Sequence, residues 1–399
     1  VMPSEESVPI LDGPMFSGGP VYNTMGERSP RFPRIKSRID NRLYLRGEYL
    51  IWNVTGMDAP PMVTTSPSGT PQDTAAVLGE PGTSVLFGGT DINSGAVSGI
   101  LLGGGMWLTT ARNAAIENEY FETASLSEGY NGASDGSTIL GRPFFNVLNG
   151  EQSALLVSYP ELVSGSVTVS TKSQLRSFLI NGRFRICPNH TNGCQQCGMQ
   201  DRTDWIIGYR YIRLRDSVTA STDLQSLIPD IPGGVAAADQ FQTENEFSGL
   251  QLGFMHRSLF KRAWLDSQLR VALGNTRQTV QIGGSTTYDE MGVTDTFSGG
   301  LLAQRTNSGE RKRDEFVLVP ELGCRLGMRW TERFHTTLGY TLMYLPNVVR
   351  ASEQIDTDLN PNLIPEEVVP FTGALRPRAI WVQSDYFAHG LHLGAELHF

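Results

Sequence analysis

Along about ten stretches of this chain, apolar and polar residues alternate one by one. In "NRLYLRGEYLIWNV", Leu45, Tyr49 and Ile51 share one parity, while Arg46, Glu48 and Trp52 share the other. Period two marks a strand whose two faces meet different surroundings. The pattern returns in "AVSGILLGGGMWL" and in "NAAIENEYFE", where Glu117 and Glu119 share a face. In "SQLRSFLINGRFRI", Phe178, Ile180, Phe184 and Ile186 oppose Asn181, Arg183 and Arg185. "DWIIGYRYIRL" sets Trp205, Ile207, Tyr209 and Tyr211 against Gly208 and Arg210, and "FSGLQLGFMHR" sets Leu250, Leu252 and Phe254 against Gln251 and Gly253. Three more stretches oppose apolar rows to Asp266, Gln268 and Arg270, to Glu321, Arg325 and Arg329, and to His335, Thr337 and Gly339. The tenth, "FAHGLHLGAELHF", places Leu391, Leu393, Ala395, Leu397 and Phe399 opposite His392, Glu396 and His398, and is read as extending upstream through "RAIWVQSDY".

The links between these stretches sort into two kinds. "TTAR", "SLFKR" and "TER" are tight, whereas most of the others run to roughly twenty to forty residues, and long and short links alternate. An outer-membrane barrel has tight periplasmic turns at one end and long external loops at the other. The expected fold is therefore all-β: a single antiparallel transmembrane barrel of about ten strands over 41–399, with both chain ends on the periplasmic side. The long loops, 55–92, 125–165, 286–312 and 351–378, are expected to be accessible from outside. Residues 1–40, rich in Pro, Gly and Ser without periodicity, are expected to form an irregular arm that dangles, lines the barrel or plugs it. Trp52, Trp107, Trp205, Trp264, Trp330 and Trp381 fall near predicted strand ends, where an interfacial aromatic girdle would sit.

Composition narrows the choice further. The chain is 39% hydrophobic with a mean hydropathy of −0.20. No apolar run reaches the roughly 18–20 residues of a spanning helix, and the nearest, "SGILLGGGMWL", is broken by glycines. A helical membrane protein is excluded, but a barrel is not, because lumen-facing residues dilute each strand. The 43 glycines favour β over helix. Net charge is −9 and no basic block occurs, so nucleic acid is not an expected partner. For an exported protein, a chain starting at Val1 without a signal sequence reads as a mature form.

Several stretches carry a family resemblance. They are "GEYLIWNVTGMDAPPMVTTSP", "VLGEPGTSVLFGGTDIN", "RPFFNV", "ELVSGSVTVSTKSQL", "GYRYIRL", "ALGNTRQTVQIGG", "GGLLA", "VPELGCRLG" and "NVVRASEQIDTDLNPNLIP". From about Gly47 to the end, the chain resembles planctomycete outer-membrane proteins, the seventh putative β-barrel porin family. That resemblance implies an outer-membrane barrel in a Gram-negative-type envelope and a porin-like function, and it supplies no catalytic residues.

The candidate chemistry follows the lumen parity. It collects Arg46, Glu48, Glu117, Glu119, Arg183, Arg185, Arg210, Asp266, Arg270, Glu321, Arg325, Arg329, His392 and Glu396. Such a set makes either a charged eyelet that selects permeating ions or a ladder of ion pairs filling a narrow interior. Ten strands lie near the filled end of barrel sizes, which favours the ladder. Glycines on the same parity, among them Gly103, Gly208, Gly253, Gly274, Gly323, Gly327, Gly339 and Gly394, argue for room. "CPNHTNGCQQC" brings Cys187, His190, Cys194 and Cys197 together; a disulfide among Cys187, Cys194 and Cys197 is expected in an oxidising envelope, with a Cys₃His zinc site as the alternative. Cys324 has lipid-facing parity. The loop pieces "GGTDINSG" and "EQIDTDLNPN" read as plain turns, with Ca²⁺ binding as the alternative. No G-x-S-x-G, H-E-x-x-H or P-loop pattern occurs, no Asp–His pair falls in the long loops, and no cofactor is expected, so an enzyme is not. Leu391, Leu393, Leu397 and Phe399 resemble the C-terminal signal read by the barrel-insertion machinery. The expected function is limited diffusion of small solutes or ions through a putative porin. The alternative is a closed structural barrel whose loops contact neighbours or a surface layer. Expected partners are outer-membrane lipid, the insertion machinery during assembly, and further copies or surface-layer neighbours.

Overall fold

The computed structural model describes residues 42–186, 202–290, 292–365 and 367–399. Ten barrel strands follow in chain order: β1 Leu43–Val54, β2 Gly95–Trp107, β3 Ala114–Thr123 continued by Leu126–Ser134, β4 Val163–Arg185 and β5 Arg202–Ser226. Then come β6 Gly234–Leu259, β7 Ala263–Glu290, β8 Gly309–Arg329, β9 Phe334–Val348 and β10 Ser384–His398. Each strand pairs antiparallel with the next, and β10 returns to β1 with Leu45 opposite Leu397 and Ile51 opposite Leu391. Closure pairs the strands around the whole ring in the band where the apolar residues face outward, as a lipid environment requires, while the upper part of β8, 309–320, pairs with β7 alone. Among the described residues, no helix is long and apolar enough to cross a membrane.

An exposed apolar band wraps the wall: Leu45 to Ile51, Phe178 to Ile186, Leu250 to Phe254, Leu318 to Met328 and Phe387 to Leu397 alternate outward. Above it, β4 to β8 continue as a tall wall whose outward residues turn polar. Arg215 pairs with Glu244 at 2.9 Å there, and Tyr211 donates to Glu246 at 2.7 Å. The polar extension explains why β5 and β6 outrun their expected limits: Thr, Ser and Gln on the outer face erase the apolar alternation. The expected long link between them is only 227–233. At the other extreme, β10 begins at Ser384, so the upstream "RAIWVQSDY" extension fails over Arg378–Gln383, which lie outside any ladder.

The girdle reading of the tryptophans also needs correction. Trp205 and Trp330 do face outward, 50% and 63% exposed, but Trp52, Trp107 and Trp264 point into the barrel and are buried. Strand parity, not nearness to a strand end, decides which way a ring points. Trp381 packs against the upper core instead.

The upper loops are not free excursions. Segments 55–94, 135–162 and 349–363 fold back against the inner face of the tall wall. Strands Val63–Ser66, Ser84–Phe87, Ile139–Asn146, Glu151–Ser158 and Asp358–Leu359 form a small sheet there. Met57, Met62, Val63, Leu140, Phe144 and Leu359 pack with inward Val167, Val169, Val218, Phe241 and Ile282 in one buried core. Much of the loop sequence expected to be accessible is therefore core, because its apolar residues find a partner inside the barrel.

Candidate functional site

The barrel interior is stacked in layers, and alternation along the strands builds each one. Near the short-turn end it is charged. Arg46 on β1 bonds Glu119 on β3 and lies 3.3 Å from Glu48. Arg183 reaches Glu117 at 3.0 Å and also bonds Asp204. Glu321 on β8 accepts from both Arg210 on β5 and Arg270 on β7, so the pairs cross the lumen as well as following its wall. Arg325 sits 3.7 Å from Glu48 and 3.4 Å from Asp266, and His392 Nδ1 lies 2.6 Å from Glu48. A buried charge is tolerable only when paired, so the two signs must be matched at this density.

Arg46, Glu48, Glu117, Glu119, Arg183, Arg210, Asp266, Arg270, Glu321, Arg325, His392 and Glu396 are thus brought together. Arg185 and Arg329 stay at the lower mouth, and among the described residues neither makes an ion pair. Asp204 and Arg257 belong to the network too; their parity was the signal that could have found them. The interior glycines do not leave space. A Cβ at Gly339 would enter the His392 ring, one at Gly327 the Trp264 ring, and one at Gly323 the Gln268 side chain. At Gly208, Gly253 and Gly274 it would meet the backbone of the adjacent strand. These glycines admit neighbouring side chains and close strand approach.

Above the charges lies an apolar layer to which every strand contributes. Leu50, Leu101, Phe121, Leu175, Ile212, Phe247, Ala272, Val319, Met343 and Ala388 are all buried and form one cluster, joined by Trp52, Leu214 and Tyr386. Trp52 and Phe121 pack with ring centroids 4.9 Å apart. A water-filled channel would leave these side chains accessible, whereas Leu50, Leu175, Ile212 and Met343 are 0% exposed. The layer fills the barrel at this level.

The infolded loops are latched above it. Arg350 donates to Asp216 at 2.6 Å and to the Gly56 carbonyl at 2.8 Å, and its guanidinium lies 5.1 Å from the Tyr386 ring centroid. Burial pulls the Arg350 pKa down, but the facing Asp216 carboxylate outweighs it and raises the value. Arg142 donates to Asp239 at 2.6 Å, and the other oxygen of Asp239 accepts from the Leu302 and Ala303 amides at 3.0 and 2.8 Å. Asn245 exchanges two bonds with the Val349 backbone. Sequence reading missed these latches because loop residues have no periodicity to assign them a face.

Among the described residues, cavities open in the lower half. One of about 70 Å³ lies among Tyr44, Arg46, Glu117, Arg183 and Arg270. Another, about 360 Å³, opens at the lower mouth between Trp107, Arg202, Trp264, His335 and His398. The expected disulfide among Cys187, Cys194 and Cys197, with His190, falls outside the described residues, as does the arm 1–40. Cys324 is free and exposed on the lipid-facing side. Leu391, Leu393, Leu397 and Phe399 face outward, and the Phe399 amide donates to the Leu43 carbonyl at 2.8 Å.

A family model described as Putative beta barrel porin-7 (BBP7) matches residues 44–399. Among solved structures, the outer membrane protease OmpT from Escherichia coli is similar over 90% of this chain and 98% of its own, at 8% identity and a TM-score of 0.42. The Pseudomonas putida toluene transporter TodX is similar over 90% of both chains at 7% identity, TM-score 0.21. A Pseudomonas aeruginosa FadL homologue is similar over 90% of this chain and 89% of its own at 8% identity, TM-score 0.22. No curated protein matches.

Proposed function

The chain belongs to the family described as Putative beta barrel porin-7, and from that membership and its filled interior we propose an outer-membrane barrel of the porin class held closed at rest. The single observation that carries this reading is the apolar layer of buried side chains drawn from all ten strands. Passage of a solute then requires displacement of both that layer and the latched loops, which restricts flow to small solutes or ions in rare openings. The lower charges are committed to one another and so fill the lumen rather than form an open selective ring. No catalytic role is assigned to them. The tight turns 108–113, 260–262 and 330–333 lie at the end we place in the periplasm, together with both ends of the barrel.

The test is conductance in planar bilayers. The intact chain gives weak or intermittent current, and Leu50→Ala with Phe247→Ala gives a larger, steadier one. A large steady current from the intact chain refutes closure. If neither protein conducts, the barrel is a structural one whose surface contacts neighbours, the second reading that the filled layer also supports.

A further inference from the structure

At the lower mouth, Glu396 of the charged layer meets two histidines that take no part in the lumen-crossing ion pairs. His335 on β9 lies directly opposite Glu396 on β10 in the ladder, and His398 follows Glu396 by two residues. Cross-strand and i,i+2 neighbours share one face of a sheet, so all three enter the interior from a single patch. One atom from each ring and one carboxylate oxygen all lie within 4.8 Å of one another. His335 Nδ1 is 3.9 Å from Glu396 Oε1, and His398 Nε2 shares a hydrogen bond with that same oxygen.

The state of His335 is what points to a ligand. It is 8% exposed, yet neither ring nitrogen has a hydrogen-bond partner among the described residues. A buried polar group left unbonded is costly, so the ring calls for a partner. The ring is fixed rather than loose: Trp264 packs edge-on at 5.2 Å between centroids and His398 lies at 4.5 Å.

The geometry points to a divalent transition-metal site of two imidazoles and one carboxylate, made by His335, Glu396 and His398. Nitrogen and oxygen ligands stand about 2.0–2.2 Å from such an ion, hence roughly 3.4 Å from one another in a tetrahedral site. The 3.9 Å gap must close slightly, and the His398–Glu396 hydrogen bond must open to admit the ion. Both are side-chain rotations. Imidazole ligands select zinc, copper or nickel over calcium or magnesium. The remaining coordination positions face the 360 Å³ cavity. Of the cations lining that cavity, Arg202 bonds Asp204 at 2.7 Å and Arg257 bonds Asp266 through Nε and Nη2, while Arg329, opposite His335 in the ladder, makes no ion pair among the described residues. Because the ligands span β9 and β10, the bound ion ties the last two strands together and stabilises the folded barrel.

The experiment uses the full chain in detergent with Cys187, Cys194 and Cys197 changed to Ser and His190→Ala, which removes the metal-binding side chains at 187–197. Co²⁺ is followed by absorption and Zn²⁺ by calorimetry. The expected result is one equivalent bound without a thiolate charge-transfer band, a raised unfolding temperature, and at least tenfold weaker binding in H335Q/H398Q. No binding, or equal binding in the variant, overturns the site. Should H335Q/H398Q fail to fold, Cu²⁺ quenching of tryptophan fluorescence decides: quenching that vanishes with W264F supports the site, and quenching unaffected by W264F overturns it.

Discussion

Replacing Arg350 by Met tests whether the infolded loops are held by their latch. The guanidinium is fully buried and bonds Asp216, itself 1% exposed, while also serving the carbonyls of Thr55 at 3.3 Å and Gly56 at 2.8 Å. Removing one partner of a buried pair strands the other charge, at a cost of about 3–5 kcal/mol. The carbonyls of residues 55 and 56 lose a donor as well, which places the change toward the upper end. Met retains the packing against Tyr386, so the loss is electrostatic rather than steric. Adding Asp216→Asn removes the stranded charge and should return at least about 2 kcal/mol of coupling in a double-mutant cycle. Urea unfolding in a reversible detergent system measures the free energies, and amide exchange at Val349, Gln354 and Ile355 reports the loop directly. If Arg350→Met leaves stability within about 0.5 kcal/mol and exchange unchanged, the latch contributes nothing. If the double variant is as unstable as the single one, stranded charge is the wrong explanation.

Three further perturbations probe the other layers. Glu321→Gln leaves Arg210 and Arg270 competing for a neutral amide and should cost about 3–5 kcal/mol, measured by the same unfolding assay; a neutral outcome would mean the lumen charges are solvated. Leu322→Arg puts a charge on the lipid face of β8, where Leu322 is 51% exposed, and should lower stability by about 2–4 kcal/mol in bilayers if it lies near the midplane, whereas a harmless substitution would move the band elsewhere. Glu353 has its pKa raised, chiefly by burial, although Ser384 donates to it at 2.9 Å. Its folded state thus prefers the proton, so its contribution is most favourable below the unfolded value of about 4.3 and is lost as pH rises through the folded value. Glu353→Gln should flatten that acid-side slope in a pH series of unfolding midpoints, and an unchanged slope would remove Glu353 as its source.

The sequence by itself determined the wall of this protein. Period-two alternation located ten strands, assigned each residue to one of two faces, and placed Arg46, Glu48, Glu117, Glu119 and Glu321 on the inner one. It did so because lipid outside and charge inside impose opposite demands on successive residues. Where that contrast ends, legibility ends. The upper halves of β5 to β7 carry polar residues on the outside as well, so their alternation fades and they read as loops. What fills the barrel was decided only by tertiary structure. Whether Gly339 opens space depends on His392, one strand away, swinging over it. That Leu50, Phe121 and Phe247 meet in one packed layer depends on the stagger of strands around the closed barrel. Arg142 and Arg350, in infolded segments whose sequence shows no period, find Asp239 on β6 and Asp216 on β5 across 97 and 134 residues of chain. Alternation is a local consequence of backbone geometry, whereas the filling of a closed cylinder is fixed by register and chain return, and no single stretch contains either.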